Sequence, residues 1–149
     1  MTGTTPPRLE PTADALLERH YDDGESAYDA RLDAAGDLHL TVRGRGTMGG
    51  MHDMMDFFAA AEKAVAGRPA RVYYDLTHAR GAPLRAQLVF GKWFFTRRKF
   101  VRRAAIVGAG PVERRLATAV CAFARIDRVR FFEQESEGRA WLFAEDGLA

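Results

Sequence analysis

The sequence predicts an α/β domain built on a five-stranded mixed sheet, with the element order ββαβαβαβα. The prediction rests on a strand, helix, strand unit in the middle of the chain. Its first strand is Val72 to Leu76, an apolar run that is rich in β-forming residues and too short for a helix, which indicates burial on both faces of a sheet. Pro83 stands where a first helical residue is favoured, Leu84 to Phe95 has the length of a helix, and Ala104 to Gly108 is a second buried strand. Such units form parallel sheets with right-handed crossovers.

Length and composition indicate one ordinary globular domain. The chain has 149 residues, which is enough for one core and too few for two. No stretch approaches the roughly 20 consecutive apolar residues that span a bilayer, and the start from Met1 to Pro7 lacks the basic and apolar parts of a secretory signal. The single cysteine, Cys121, excludes an internal disulfide, so we expect a cytoplasmic protein. We predict that residues 1–24 form a partly flexible N-terminal extension and that residues 25–149 form the domain.

The first half of the chain predicts three elements before the central unit. Thr12 can cap a short helix that reaches Arg19. Ser26 to Leu32 and Leu38 to Val42 are strands joined by a turn, which predicts an antiparallel hairpin. A helix then runs from about Gly49 to Ala66, and its methionines recur at helical spacing with the other apolar residues, so we assign them to the core.

The second half predicts a third helix, a fifth strand and a closing helix. The third helix runs from Pro111 to about Arg125, with an inner stripe formed by Val112, Leu116, Val120 and Phe123. Val129 to Phe132 is the fifth strand, and Ser136 to Ala144 is the closing helix. The sequence does not decide how the helices divide between the two faces of the sheet.

Four segments carry a family resemblance. They are Asp75-Leu76-Thr77 at the end of the central strand, the strand from Arg103 to Gly108, the short strand from Val129 to Phe132, and Ala140-Trp141-Leu142 in the last helix. In this order and spacing, over about residues 26–143, the chain resembles the SpoIIAA-like branch of the STAS superfamily. The resemblance implies a mixed sheet flanked by helices and a role in regulation or binding rather than catalysis.

The segment after the central strand departs from that family's pattern. STAS proteins that antagonise anti-sigma factors carry a phosphorylatable serine or threonine at the start of the following helix. Here the segment from Thr77 to Pro83 is shorter and has no serine, and Thr77 lies too close to the strand end to match. We therefore do not expect phosphorylation by that route. We predict instead an interaction loop, formed by Asp75, Thr77, His78 and Arg80.

Positive charge is concentrated in one segment. Net charge is only +2, yet the segment from Lys92 to Arg115 has eight basic residues against Glu113 alone and carries +7, which leaves −5 for the rest. Such asymmetry favours a local contact with an anionic partner. With a net charge so near neutral and no nucleic-acid fold motif, nucleic acid is the least favoured partner. The predicted anionic-partner patch consists of Trp93, Arg97, Arg98, Lys99, Arg102 and Arg103.

The helix of the central unit has too many aromatic residues for one stripe. Phe90, Trp93, Phe94 and Phe95 point in different directions around its axis, so something besides the sheet must cover part of them. One interpretation is coverage by the last helix or the N-terminal segment. The others are a self-association or partner-protein face, and an aromatic and basic patch that settles on an anionic membrane or binds a lipid-like ligand.

Two glycine motifs suggest nucleotide binding. Gly108-Ala109-Gly110 follows a buried strand and opens a helix, with Glu133 after the next strand, as in dinucleotide sites. Glu113 takes the place of the third glycine and would repel phosphates, so a structural turn is favoured. The segment from Gly44 to Gly49 spells the same fingerprint but follows an amphipathic hairpin strand, which favours a flexible connection, although Arg45 could hold an anion near the helix start.

No complete catalytic or metal-binding group emerges. His52, Asp53 and Asp56 resemble a metal cluster, but only two of them share a helix face. His78 beside Asp75 indicates a loop contact, and Cys121 indicates an inert, partly buried thiol. We predict no catalytic residue, no metal and no cofactor.

The leading functional prediction is a non-enzymatic regulatory or binding module of STAS-like type. It would act through contact with another protein, through self-association, or by binding an amphipathic anionic ligand, including an anionic lipid or membrane surface. The alternative is a nucleotide- or flavin-binding enzyme that uses the turn at Gly108.

Overall fold

The computed structural model describes residues 15–111, 114, 115, 118, 122 and 128–144. Within these residues six strands and three α-helices alternate along the chain. They are β1 (Leu17–Asp22), β2 (Ser26–Leu32), β3 (Leu38–Gly44), α1 (Met48–Ala64), β4 (Ala70–Ala79), α2 (Leu84–Thr96), a 3-10 turn (Arg98–Phe100), β5 (Val101–Val107), β6 (Val129–Phe132) and α3 (Glu135–Leu142).

The strands form one mixed sheet in the order β1-β2-β3-β4-β5-β6. Neighbours from β1 to β3 are antiparallel, and those from β3 to β6 are parallel. The predicted antiparallel hairpin is confirmed, and so is the parallel pair of the central unit, in which Tyr74 lies opposite Ile106. The fold class is therefore confirmed, with six strands in place of five.

The additional strand is β1, and it replaces part of the helix predicted from Thr12 to Arg19. Leu17, Arg19 and Tyr21 alternate with exposed residues and turn toward the core, which is the period of a strand. The Arg19 guanidinium lies 5.8 Å from the centre of the Phe57 ring and 2.9 Å from a carboxylate oxygen of Asp56 in α1. These tertiary contacts override the weak helix propensity. Residues 12–14 lie outside the described part.

Helices cover both faces of the sheet. On one face the main core joins side chains of β2 to β5, α1 and α2, with Tyr28, Leu32, Leu40 and Phe57 almost fully buried. On the other face, α3 packs through Leu142 and Trp141 against Tyr73, Ala105 and Val107. None of the helices that the structure describes is long and apolar enough to cross a bilayer.

Helix α1 starts close to the predicted position. Thr47 is its N-cap, because the Thr47 hydroxyl accepts a hydrogen bond from the backbone N–H of Gly50 at 3.0 Å. Met51 and Met54 are buried in the helix, so the assignment of these methionines to the core is confirmed.

The aromatic residues of α2 are covered by α1. The Phe58 ring meets the rings of Phe90, Trp93 and Phe94 at centroid distances of 6.3, 6.2 and 5.7 Å. The interpretation that the last helix covers them is wrong for these three rings, since α3 lies on the opposite face, and residues 1–14 of the N-terminal segment lie outside the described part.

Most of the predicted third helix lies outside the described residues. Those of its residues that are described, Pro111, Arg114, Arg115, Thr118 and Ala122, are helical. Its predicted inner stripe, Val112, Leu116, Val120 and Phe123, and the thiol of Cys121 lie outside the described part.

Candidate functional site

A cavity of about 260 Å³ lies between α1, α2 and the sheet face that they cover. Its wall is mostly apolar: α1 contributes Met51, Met54 and Phe58, α2 contributes Phe90 and Phe94, and β4 contributes Val72, Tyr74 and Leu76. The cavity reaches the segments that follow β3 and β4, where Gly46, Thr47, Gly81 and Ala82 line it. In sheets with parallel strands, the carboxyl ends of the strands are the common place for ligands.

Small side chains keep this space open. Ala86 of α2 and Ala104 of β5 line the cavity where longer side chains would project into it. Gly46 allows the two segments beyond β3 and β4 to touch, because a Cβ at position 46 would lie 2.7 Å from the Cβ of Ala82. The backbone N–H of Gly46 also donates to the carbonyl oxygen of Gly81 at 2.8 Å. The predicted flexible connection from Gly44 to Gly49 is thus tied to the end of β4.

Besides the N-cap Thr47, three polar side chains in the wall have defined partners. The Tyr28 hydroxyl donates to the carboxylate of Asp53, and the side-chain amide of Gln87 donates to the carbonyl oxygen of Ala82 at 3.1 Å. The Tyr74 hydroxyl donates to the sulfur of Met54 at 3.2 Å. Burial is the main cause that raises the pKa of the Tyr28 and Tyr74 hydroxyls above 10, so both remain neutral donors at physiological pH.

The predicted interaction loop is largely strand. β4 continues to Ala79, and His78 lies opposite Arg43 of β3, so Thr77 and His78 belong to a strand and the prediction that they form a loop is wrong. The last residue of β4 that pairs with β5 is Asp75, whereas the pairing of β4 with β3 continues to Ala79. Asp75 accepts a hydrogen bond from the backbone N–H of Thr77 at 2.9 Å.

None of the four loop residues lines the cavity, but the two sequence neighbours of Arg80 both do. Arg80 is exposed and stands between the lining residues Ala79 and Gly81, whereas Asp75 belongs to the opposite face of β4 because side chains alternate along a strand. Arg45 is also exposed and precedes the lining residue Gly46. Arg45 and Arg80 are here called the rim arginines.

The predicted anionic-partner patch is only partly assembled. Trp93, Arg97, Arg98 and Lys99 lie together at the carboxyl end of α2, where the Arg97 guanidinium is 5.6 Å from the centre of the Trp93 ring and 2.9 Å from a carboxylate oxygen of Glu62. The Arg98 guanidinium stacks on the Phe95 ring at 4.2 Å. These groups lie roughly 18 Å along α2 from its first residue, at 1.5 Å per residue.

Arg103 does not share a surface with that group, and it is also separated from Arg102. The two arginines are consecutive residues of β5, so their side chains point to opposite faces of the sheet. Arg103 donates to the carbonyl oxygen of Trp141 in α3 at 3.0 Å, and its guanidinium lies 5.2 Å from the centre of that indole ring. The six predicted residues are thus split between two faces.

Gly108 is required by the sheet itself. Its φ is +76°, and a Cβ at this position would lie 2.7 Å from the Cα of Thr77. Both the backbone conformation and the close approach of β4 demand a glycine. The glycine at 108 therefore gives no support to a nucleotide site.

The acidic residues at the start of α1 serve the packing of β1. Asp56 pairs with Arg19 at 2.9 Å, and Asp53 lies 3.5 Å from the same guanidinium while it accepts from Tyr28. Among the residues that the structure describes, no group of three or more His, Cys, Asp or Glu side chains could hold a metal ion.

The opposite face of β1 to β3 carries a buried ionic cluster. Asp29 has 0% exposure, and its carboxylate contacts both the guanidinium of Arg43 and the imidazole of His20. These three residues belong to three adjacent strands, so the cluster joins β1, β2 and β3. Sequence reasoning missed it, and it also missed the cavity.

One signal for the cavity was present in the sequence. The small residues Gly81, Ala82 and Ala86 precede the large aromatic residues Phe90 and Phe94. Small side chains at the start of an apolar helix leave space beside the large ones further along it. What the sequence could not supply is the separation between α1 and α2.

Comparison with known proteins agrees with this architecture. The SpoIIAA-like family model matches residues 38–143. The crystal structure of an uncharacterized DUF3478-family protein with a SpoIIAA-like fold, from Shewanella loihica PV-4, aligns with a TM-score of 0.55 at 20% sequence identity, over 90% of this chain and 98% of that chain. At that identity the likeness supports the fold alone. No curated protein showed significant similarity. The family match spans well over half of the sequence, and the chain therefore belongs to the SpoIIAA-like family.

Proposed function

We propose that the chain is a non-enzymatic binding module that holds an amphipathic anionic ligand, with the apolar part in the cavity between α1 and α2. The observation that carries the proposal is the cavity itself: about 260 Å³ of mostly apolar space at the carboxyl ends of parallel strands. Ligand sites are typically mostly apolar, with a few polar groups that fix orientation. The family membership supports a binding or regulatory role.

The anionic character follows from the charge around the cavity. The rim arginines are exposed beside the segments that line it, whereas the carboxylate of Asp23 at the same end already accepts a hydrogen bond from the Thr47 hydroxyl at 2.6 Å. An anionic head group would remain in contact with water and with guanidinium groups, while the apolar part would leave water. Burial of apolar surface contributes about 25 cal/mol per Å², so the apolar part would supply most of the binding free energy.

Titration with a fluorescent anionic amphiphile, dansyl-undecanoic acid, tests this function. We expect saturable 1:1 binding to the wild type and at least a roughly tenfold loss of affinity in Ala104→Leu, since the added side chain would occupy the cavity floor. The same variant should keep or gain stability, by up to about 2 kcal/mol, because it fills a void. Ala140→Leu, at an exposed site of α3, is the matched control and should bind normally. Equal affinity of Ala104→Leu and the wild type would refute the cavity as the site.

The rim arginines can be tested with the same probe. We expect Arg45→Gln combined with Arg80→Gln to weaken dansyl-undecanoic acid binding and to leave the neutral probe N-phenyl-1-naphthylamine unaffected. The control replaces Arg97, Arg98 and Lys99 by glutamine at the far end of α2, and it should bind both probes normally. Loss of anion binding in the control alone would move the head-group site to the patch predicted from the sequence.

A second candidate function is docking on an anionic membrane through the outer face of α2. Leu84 and Leu88 are 60% and 61% exposed and stand one turn apart, next to the exposed cations Arg85 and Lys92. Apolar and basic side chains on one helix face favour an anionic lipid surface. The two functions are compatible, because the same helix forms a wall of the cavity.

A further inference from the structure

The hydrogen bond of Tyr74 is unlike the others in the cavity wall. Its acceptor is the thioether sulfur of Met54, at 3.2 Å. Thioether sulfur is a weak acceptor, whereas Tyr28 and Gln87 donate to a carboxylate and a carbonyl oxygen. The phenol proton of Tyr74 is therefore only partly satisfied.

This weak hydrogen bond lies on the cavity wall. Tyr74 and Met54 both line the cavity, so a bound molecule can approach the donor and the acceptor. The surrounding wall is apolar, with Val72, Leu76 and Ile106 from the sheet and Phe58 and Phe90 from the helices. In such surroundings a donor with a poor partner costs free energy, and a ligand that offers a better partner recovers it.

We propose that Tyr74 recognises a hydrogen-bond acceptor on the buried part of the ligand, by exchanging the sulfur of Met54 for an oxygen of the ligand. The ligand is then not a plain hydrocarbon tail but a molecule with a carbonyl, ether or hydroxyl oxygen inside the cavity. This inference rests on the proposed ligand-binding function, and it makes Tyr74 a specificity-determining residue.

The dimensions of the cavity limit the buried part of this ligand. About 260 Å³ is slightly less than the roughly 300–1,000 Å³ of sites for drug-sized ligands. Three phenylalanine rings, those of Phe58, Phe90 and Phe94, face the space and suit a flat or ring-shaped group. The buried part is thus a compact group of one or two rings, or a short chain, that carries one acceptor oxygen.

Two isosteric neutral probes test the inference. Acetophenone has a carbonyl oxygen where cumene has a methyl group, and both can be titrated by calorimetry into the wild type and into Tyr74→Phe. We expect Tyr74→Phe to lose roughly three- to tenfold in acetophenone affinity, the value of one neutral hydrogen bond, with no change for cumene, so that the ratio of acetophenone affinity to cumene affinity falls by the same factor.

Met54→Leu is the second variant, since it removes the sulfur and keeps the phenol. It should retain or increase the ratio of acetophenone affinity to cumene affinity. An equal fall of that ratio in Met54→Leu and Tyr74→Phe would overturn the inference, because the ratio would then depend on cavity shape.

The outcomes separate the inference from the proposed function. If both probes bind the wild type and Tyr74→Phe alike, the role of Tyr74 is refuted while the cavity remains a ligand site. If neither probe binds the wild type but dansyl-undecanoic acid does, the inference alone is refuted, and if none of the three binds, the proposed function is refuted as well.

Discussion

His39 is a buried ionisable residue on the face of β3 opposite the cavity. It is 4% exposed, its Nε2 lies 2.8 Å from a carboxylate oxygen of Asp33, and its ring stacks on Phe143 at 6.0 Å. Burial lowers the pKa of His39 below 6.5, and the nearby charges of Arg31 and Arg139 act in the same direction against the hydrogen bond with Asp33. The folded protein therefore favours the neutral imidazole.

This depressed pKa predicts a loss of stability as the pH falls through about 6.5. Between the lowered pKa of the folded state and the ordinary value of 6.5, the unfolded chain binds more protons than the folded chain, so the free energy of unfolding rises with pH in that window. Denaturant unfolding should give a lower free energy of unfolding at pH 5.5 than at pH 7.5.

The contribution of His39 can be isolated by substitution. His39→Gln should remove most of the pH dependence in that window, whereas His52→Gln, at an exposed site of α1, should retain it. Asp33 acts in a different window. Burial opposes its ionisation, but the backbone N–H of Asp37 and the side chain of His39 outweigh it and lower the pKa of Asp33, so its contribution is lost only below about pH 4. An unchanged dependence of stability on pH in His39→Gln would contradict the assignment of the window just below pH 6.5 to His39.

At the scale of elements, α2 has two different faces. Its inner face, Phe90 and Phe94, forms the cavity wall and packs on Phe58 of α1. Its outer face leaves Leu84 and Leu88 exposed. The aromatic surplus that the sequence showed is thus mostly internal, and the exposed apolar surface lies about three turns nearer the start of the helix than the centre of the part of the predicted patch on α2.

Replacement of those two leucines tests membrane docking. Leu84→Ser combined with Leu88→Ser should weaken sedimentation with phosphatidylglycerol vesicles by roughly tenfold or more, since each leucine would transfer about 1 kcal/mol of apolar surface or more into the lipid. Thermal stability should change little because both side chains are exposed. Replacement of Arg97, Arg98 and Lys99 by alanine is the comparison, with a smaller expected effect. Equal pelleting of the wild type and both variants would exclude this docking mode.

The elements that could be predicted from sequence are those whose signal is local. The apolar run at Val72 and the one at Ala104 needed no tertiary information, and the parallel pairing of Tyr74 with Ile106 followed from the helix between them. The continuation of β4 through His78 could not be predicted, because it depends on pairing with Arg43 across the sheet. The cavity depends on the distance between two helices, which no sequence pattern encodes.

At the scale of the molecule, β1 shows how a charged segment becomes part of a core. Leu17 and Tyr21 pack against the main core, and Tyr21 stacks on Tyr28 at 5.6 Å. Arg19 bridges to α1, so the strand is held through one sheet neighbour and one helix. The boundary predicted at residue 24 falls between β1 and β2, which are hydrogen-bonded along their whole length.

A chain that starts at residue 25 should consequently be much less stable than the full chain. Removal of β1 leaves one edge of β2 unpaired and removes the contacts that Leu17 and Tyr21 make with the core, and full burial of one such side chain contributes about 1.5–3 kcal/mol. We expect a decrease of at least about 3 kcal/mol in the free energy of unfolding, measured by urea titration. Leu17→Ser combined with Tyr21→Ser, in the full-length chain, should reproduce most of the loss, while Glu18→Ser, exposed on the other face of β1, should have a much smaller effect. Unchanged stability of the shortened chain would mean that residues 1–24 are a dispensable extension and that the folded unit begins at β2.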